Sequence, residues 1–236
     1  MNPSTRIMVA TPMYGGQGCA NYIETLLQIK HWSHTHKIYV EFVFRTNQSS
    51  ISHARNDLTQ EFMDSNCTHL FWLDADVGFS PEPHLTEMVD QDLPVVVGTY
   101  PKKQIDWDLV RQLIAEGVDN DTLARNCQQD VIRFRDPKSP RDRTYPVTHS
   151  GAGLMLIQRS AFERFRQHHG EHQAYDNYGK PCYNYWGMAV NPTTRGYVSE
   201  DTFFCDHWRM TGGEVIWLPW IRATHQGSYR FGDPRQ

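Results

Sequence analysis

Leu70-Phe71-Trp72-Leu73-Asp74-Ala75-Asp76 is the stretch around which the rest of the chain arranges itself. The apolar run Leu70-Phe71-Trp72 reads as a strand. A strand that ends on two carboxylates one residue apart delivers them at its C-terminal edge, where α/β sheets bind ligands. Asp74 and Asp76 supply hard oxygen donors, and Mg²⁺ or Mn²⁺ needs only one or two protein carboxylates when a substrate diphosphate provides further oxygens. Acidic pairs are also common in turns, so the segments that accompany this one decide its meaning.

Outward from it, residues 7–10 form a first strand stopped by Thr11-Pro12-Met13-Tyr14-Gly15-Gly16. Residues 21–32 carry Ile23, Leu26, Leu27 and Ile29 at helical spacing. Residues 39–44 are a second strand, rich in β-branched and aromatic side chains. Ser49 or Ser50 caps a helix with Ile51, Ala54, Leu58 and Phe62 on one face. Residues 68–73 are the third strand and 93–98 the fourth. Strands alternating with helices in this order predict right-handed crossovers and an α/β, Rossmann-like fold with a mainly parallel central sheet flanked by helices. Residues 102–145 break the pattern, with a helix around Leu109, Val110, Leu113 and Ile114 and a polar segment containing Asp136-Pro137-Lys138-Ser139-Pro140. They read as a mobile insertion within one domain spanning 1–236. Order resumes at 153–157, followed by a helix capped by Ser160 with Phe162 and Phe165 inward. Residues 175–195 show no periodicity. Ser199 caps a last helix ended by Gly212-Gly213, and 215–218 and 221–224 are two closing strands.

The composition suits a globular, soluble chain: 236 residues, 39% hydrophobic and 21% charged. A net charge of -4 argues against a broad nucleic-acid-binding face and leaves room for a local basic patch. Five scattered cysteines without a C-x-x-C pair suggest neither a disulfide framework nor a zinc knuckle, which fits a reducing cytoplasm. No apolar run approaches the roughly 18 residues that span a membrane, and the N-terminus lacks the apolar stretch of a signal peptide. The expectation is a cytoplasmic protein with no integral membrane segment, peripheral to a membrane at most.

Four segments stand beside Asp74 and Asp76. Ala10-Thr11-Pro12-Met13-Tyr14 lies at the exit of the first strand, where Tyr14 can stack or hydrogen-bond with a base and ribose, or where a plain turn would serve. Ser52-His53-Ala54-Arg55-Asn56-Asp57 places Arg55 near a helix N-terminus that attracts anions; the alternative is a surface pair with Asp57 or Glu61. Ser199-Glu200-Asp201 opens the last long helix, where carboxylates serve as caps or where one acts as general base on a hydroxyl. Thr224-His225 follows the closing strand and can return a nitrogen ligand to the same ion. The tracts His31-Trp32-Ser33-His34-Thr35-His36 and His168-His169-Gly170-Glu171-His172 sit at helix ends, where histidine favours the dipole, and are set aside as metal sites.

As an ordered set these landmarks resemble the GT-A glycosyltransferases, particularly the inverting, family-two-like group. The matching residues are Ala10-Thr11-Pro12, Ala54-Arg55-Asn56, Leu73-Asp74-Ala75-Asp76, Ser150-Gly151-Ala152-Gly153 with Leu154-Met155-Leu156-Ile157, Ser199-Glu200-Asp201 with Thr202-Phe203-Phe204-Cys205, and Thr224-His225. The resemblance implies a nucleoside-diphosphate sugar donor held by residues 1–100, with Thr11, Pro12, Tyr14, Arg55, Asp74, Asp76, Gly151 and Gly153 around it. It implies Mn²⁺ or Mg²⁺ bridging Asp76 to the diphosphate, with Asp74 holding the ribose or the ion through water and His225 completing the coordination. Gly151 and Gly153 would let backbone approach the transferred sugar. Residues 101–236 would receive a hydroxyl-bearing acceptor, with Asp201 as base and Glu200 orienting it. Lys102 and Lys103 could reach phosphate, and Trp107, Tyr183, Tyr185 and Trp186 could wall a sugar site. A Gln-x-x-Arg-Trp motif, carried by processive synthases, is absent, so single addition is expected. A histidine ligand is familiar from retaining enzymes too, so both stereochemical outcomes stay open. The alternatives are a nucleotidyltransferase of similar fold, which would want a basic residue within Met13-Tyr14-Gly15-Gly16-Gln17-Gly18, and a non-catalytic carbohydrate-binding relative.

Overall fold

The strand predicted at Leu70 lies in the middle of a seven-stranded sheet, and its side chains are withdrawn from water on both faces. The computed structural model describes residues 4–134, 136, 142–175 and 179–228. In chain order the main elements are β1 (Arg6–Met13), α1 (Ala20–His36), β2 (Tyr39–Thr46), α2 (Ile51–Asp64), β3 (His69–Leu73), β4 (Val77–Gly78), α3 (Pro81–Asp90), β5 (Val95–Thr99), α4 (Trp107–Ala115), α5 (Asn120–Asn126), β6 (Tyr145–Val147), β7 (Leu154–Gln158) and α6 (Arg159–His168). They continue with β8 (Gln173–Tyr175), β9 (Pro181–Tyr183), β10 (Ala189–Val190), β11 (Tyr197–Val198), α7 (Glu200–Met210), β12 (Val215–Arg222) and β13 (Thr224–His225).

The sheet order is β2-β1-β3-β7-β5-β12-β6. Strands β1, β2, β3, β5 and β12 run one way, and β6 and β7 run against them, so the sheet is mainly parallel as expected. Side chains alternate across it with the two-residue period of a strand. Met8, Ala10, Leu70, Trp72, Val95, Val97, Met155 and Trp217 meet α2, α6 and α7 on one face. Ile7, Val9, Phe71, Leu73, Val96, Leu154 and Leu218 meet α1 and α3 on the other. The chain steps from β1 outward to β2 and then back past β1 to β3, which places a switch point at the C-terminal ends of β1 and β3.

Several expectations change in detail. The first strand runs on through Thr11, Pro12 and Met13; pairing with β3 stops at Ala10, so Pro12 sits where one edge of β1 is open and its missing N–H costs nothing there. On α1 the buried stripe is Tyr22, Thr25, Ile29, Trp32 and Ser33, while Ile23 and Leu27 face outward. Gln158, rather than Ser160, is the N-cap of α6. The two closing strands are one strand, β12, because a bulge between Trp217 and Arg222 accommodates Pro219. A Cβ at Gly98 would stand 2.4 Å from Leu154 Cδ2 and 2.8 Å from Ile221 Cγ2, so that glycine admits the bulge. The described part of 102–145 holds two helices, capped by the side chains of Asp106 and Asp119; Pro137 to Pro140 lie outside the described residues. Residues 175–195 contribute to the paired short strands β8–β9 and β10–β11. Among the described residues no helix is long and apolar enough to cross a membrane.

Candidate active site

Immediately after β3 the backbone turns tightly, with Val77 N–H donating to Asp74 C=O at 3.0 Å. That turn throws the two carboxylates to opposite sides. Short strand β4 follows and pairs antiparallel with β13, setting His225 opposite Val77. Gln226 N–H donates to Asp76 C=O at 2.8 Å, which fastens the late segment to the turn. Asn21 reinforces the junction through Asp76 C=O at 3.4 Å and Thr224 Oγ1 at 3.1 Å.

On one side, Asp76 Oδ1 lies 3.1 Å from His225 Nε2, and Asp76 Oδ2 accepts from the Lys103 ammonium. Burial works to raise the Asp76 carboxyl, but His225 and Lys103 outweigh it and hold it below the usual carboxylate range. His225 donates Nδ1–H to the Pro101 carbonyl at 2.7 Å. Nε2 then meets the carboxylate either as N–H, the state that lowers the Asp76 carboxyl, or in the neutral ring as a lone pair. Two electron-rich atoms face each other comfortably only with a proton or a cation between them, so Asp76 and His225 fit a divalent ion.

On the other side, Arg55 is buried and bridges two carboxylates, Asp74 Oδ1 at 2.9 Å through Nη2 and Glu200 Oε1 at 3.3 Å through Nε. Its guanidinium carbon lies 5.0 Å from the Trp72 ring centre. Burial presses its pKa downward, and Asp74 and Glu200 more than offset this and hold it above the ordinary guanidinium value. The stripe read from Ala54 and Leu58 thus extends to Arg55, which points inward; Arg45 makes the surface pairs with Asp57 and Glu61. Since Arg55 occupies Asp74, the expected metal trio divides, and among the described residues no cluster of three ligating atoms includes Asp74.

Between the two sides stands Tyr100, which the sequence reading missed. Its oxygen accepts Gly153 N–H at 2.9 Å, and its ring meets the His225 ring edge-on at 5.0 Å. Burial and the nearby Asp74 push its hydroxyl pKa upward, with Asp201 also within electrostatic reach. Gly151 and Gly153 make room for this wall rather than opening onto solvent. A Cβ at Gly151 would fall 2.3 Å from Tyr100 Oη, and one at Gly153 would fall 2.7 Å from Asp74 Oδ2.

The remaining candidates separate by exposure. Thr11 is buried, donating to Leu73 C=O at 2.8 Å and accepting from Tyr22 at 2.9 Å, so its side chain ties β1 to β3. Pro12 is half-buried on the same edge, and Tyr14 is exposed at the exit of β1. Asp201 caps its own helix, with Oδ1 accepting Thr202 N–H at 2.6 Å and the Ser199 hydroxyl. Both bonds use one oxygen, which leaves Oδ2 for another donor. Lys102 bonds Gln129 at 3.3 Å. Tyr185 and Trp186 are enclosed in the core and form no sugar wall, Tyr183 is buried at the edge of a cavity beside Asn56, and Trp107 is exposed. Asn56 explains their placement, since its Oδ1 accepts Tyr185 N–H at 2.9 Å and Trp186 N–H at 3.0 Å.

No protein-family model and no curated protein matches the chain. Solved structures do match in shape. A197 from STIV is 15% identical over 95% of this chain and 87% of that one, with a TM-score of 0.55. GalNAc-T7, solved with UDP, GalNAc and Mn²⁺, is 12% identical over 94% of this chain, with a TM-score of 0.51. The chain spans 44% of the length of GalNAc-T7. The fold is GT-A-like.

Proposed function

We propose that the chain is a glycosyltransferase that moves one sugar from a nucleoside-diphosphate donor to a hydroxyl acceptor. The observation that carries this reading is the Asp76–His225 pair at the switch point of a GT-A-like sheet, joined through Asp74 and Arg55 to the N-terminus of α7. Residues 1–100 form the donor half, with Tyr14 free to stack on a base, and 101–236 form the acceptor half.

Asp76 Oδ1 and His225 Nε2 would hold Mn²⁺ or Mg²⁺. Such an ion neutralises charge on the departing nucleoside diphosphate. With an ion there, Lys103 would be released from Asp76 Oδ2 and could face the same phosphates. Arg55 is a positioning residue, setting Asp74 toward the donor and Glu200 toward the acceptor. Asp201 Oδ2 takes the proton of the acceptor hydroxyl as its oxygen bonds to the anomeric carbon, while the carbon–oxygen bond to the diphosphate breaks and its electrons leave with the phosphate. This direct displacement inverts the anomeric centre.

The test is release of nucleoside diphosphate from a panel of nucleotide sugars with Mn²⁺, followed in the full chain and in Asp76→Asn. Turnover should fall about 100-fold or more in the variant, since a bound metal contributes several kcal/mol to such transition states. Equal turnover in both proteins would overturn the metal role. Nucleotide-sugar binding without turnover would point to a carbohydrate-binding relative, and pyrophosphate release from a nucleoside triphosphate to a nucleotidyltransferase.

A further inference from the structure

The tract His168-His169-Gly170-Glu171-His172 has a different fate from the one its position at a helix end suggests. After α6 a single turn of 3₁₀ helix, Gly170–His172, folds Glu171 and His172 back over His169. One nitrogen from each imidazole of His169 and His172 and one carboxylate oxygen of Glu171 all lie within 4.8 Å of one another. Among the described residues this is the one such group of three.

The hydrogen bonds fix which atoms face inward. His169 Nε2 lies 3.0 Å from the His207 carbonyl oxygen, which can only accept, so Nε2 carries the hydrogen. In the neutral ring Nδ1 keeps its lone pair, and it faces Glu171 Oε1 at 3.3 Å. His172 Nε2 is withdrawn from water, has no hydrogen-bond partner, and lies 3.8 Å from the same Oε1. A carboxylate oxygen, the lone pair of His169 Nδ1 and an imidazole nitrogen of His172 with no other partner thus converge on one space. A tetrahedral ion with bonds of about 2.0–2.2 Å would hold its ligands roughly 3.3–3.6 Å apart, close to the 3.3 and 3.8 Å that separate Glu171 Oε1 from the two nitrogens, and would draw the two imidazoles, now within 4.8 Å, closer together. The backbone carbonyl behind His169 is the kind of partner that orients a metal-bound imidazole.

The surroundings complete a site closed on one side and open on the other. The Phe165 ring lies 5.0 Å from His169, the His207 ring 4.8 Å from His172, and the Tyr183 hydroxyl donates to the His169 carbonyl. Glu171 is two-thirds exposed on the opposite side, leaving a fourth position to water. Two imidazoles and one carboxylate suit Zn²⁺ and its neighbours, whereas Mg²⁺ and Ca²⁺ prefer oxygen throughout.

We propose that His169, Glu171 and His172 bind Zn²⁺, at a site separate from Asp76 and His225, and that the ion fastens the connector after α6 against α7. His169 is the link, since its Nε2–H reaches the backbone of His207 in the helix that carries Glu200 and Asp201 at its start. The site stands whether or not the chain transfers sugars.

The experiment uses the full chain stripped with a chelator and titrated with Zn²⁺ by equilibrium dialysis, and with Co²⁺ by visible absorption. One tight equivalent is expected, with the intense bands of four-coordinate cobalt and no thiolate charge-transfer band. Asp76→Asn should retain that equivalent. Glu171→Gln and His172→Gln should weaken it about 100-fold or more, since even an outer-shell partner is worth 10–100-fold. Zn²⁺ should raise the melting temperature of the wild type and leave that of Glu171→Gln nearly unchanged. Absence of a stoichiometric equivalent, its survival in Glu171→Gln, or its loss in Asp76→Asn would each overturn the proposal; in those cases His169 and Glu171 are an ordinary ion pair. Glu171 is exposed, so its variant decides the matter even if His172→Gln does not fold.

Discussion

The two carboxylates of Leu73-Asp74-Ala75-Asp76 are one residue apart and live in different physical worlds. Asp74 faces a buried guanidinium that also holds Glu200. Asp76 faces an imidazole and a flexible ammonium, and Lys103 is more than a third exposed. The first arrangement is a permanent part of the fold, because no ion or water can replace a guanidinium enclosed by Trp72 and Trp186. Under the proposed function the second is exchangeable, since the partly exposed partners of Asp76 would yield it to a cation. A site that must bind and release a charged ligand needs both: a fixed edge to measure from and a loose one to open.

The sharpest way to break this contrast is Arg55→Met. Removing one partner of a buried ion pair typically costs about 3–5 kcal/mol, and here it leaves two carboxylates facing each other. Urea denaturation should show a loss toward that range, tempered because Asp74 is a quarter exposed. Arg55→Lys should recover only part of it, since a point charge cannot bridge two acids along a planar fork. A loss below about 1 kcal/mol would put this edge in the class of surface pairs and erase the distinction.

The wall between the edges gives the next effect. Gly151→Ala drives a methyl to 2.3 Å from the buried Tyr100 oxygen. Overpacking of this kind costs about 1–3 kcal/mol. Tyr100→Phe in the same chain removes the obstructing oxygen and should restore part of the loss, measured as a double-mutant cycle. Additive effects would mean that the tyrosine does not fill the space beside the glycine.

How much of this was legible beforehand depends on whether the signal was local. Leu70 to Asp76 announces a buried strand and its acidic exit through adjacent residues alone. His225 was legible as a strand-exit residue, although the β4–β13 pairing that delivers it depends on partners about 150 positions away. Arg55 was half legible. Its place in a helix N-terminal turn was plain, but apolar periodicity does not mark a charged residue whose counter-ions come from β3 and α7. Gly151 and Gly153 were noticed for the wrong neighbour, because nothing near them in sequence names Tyr100. Tyr185 and Trp186 looked like a binding wall in an aperiodic tract; Asn56, on a distant helix, pulls them into the core. The histidine tract was dismissed for its helix-end position, and only the 3₁₀ turn brings residues two and three apart together. Residues 215–218 and 221–224 read as two strands in the sequence, since the bulge that joins them is set by the partner strand.

On the exchangeable side, Lys103→Met should leave the urea midpoint almost unmoved, within about 0.5 kcal/mol, as expected for a surface pair. The same change should strengthen Mn²⁺ binding at Asp76 and His225, since it removes a competing cation from Oδ2. Calorimetric titration reads both the direction and its size. Weaker Mn²⁺ binding would mean that the ammonium helps to build the metal site instead of guarding it, and the exposed edge would then be as fixed as the buried one.

The smallest effect lies in the acid limb of stability. Asp76 is held below the ordinary carboxylate range in the folded chain, its partners outweighing its burial. A carboxyl depressed by folding contributes stability that is complete above its unfolded value, about 3.9. That contribution is lost as the pH falls through the lower folded value. Asp76→Asn never had it, so the gap between the two proteins should be present at pH 7 and at pH 5 and should close below about pH 4. The gap should stay under about 1 kcal/mol, because the carboxylate is nearly a third exposed and water screens its partners. Urea midpoints across that range decide it. A gap that held constant into acid would mean that Asp76 titrates alike folded and unfolded, and that His225 and Lys103 lie beside it without being coupled to its charge.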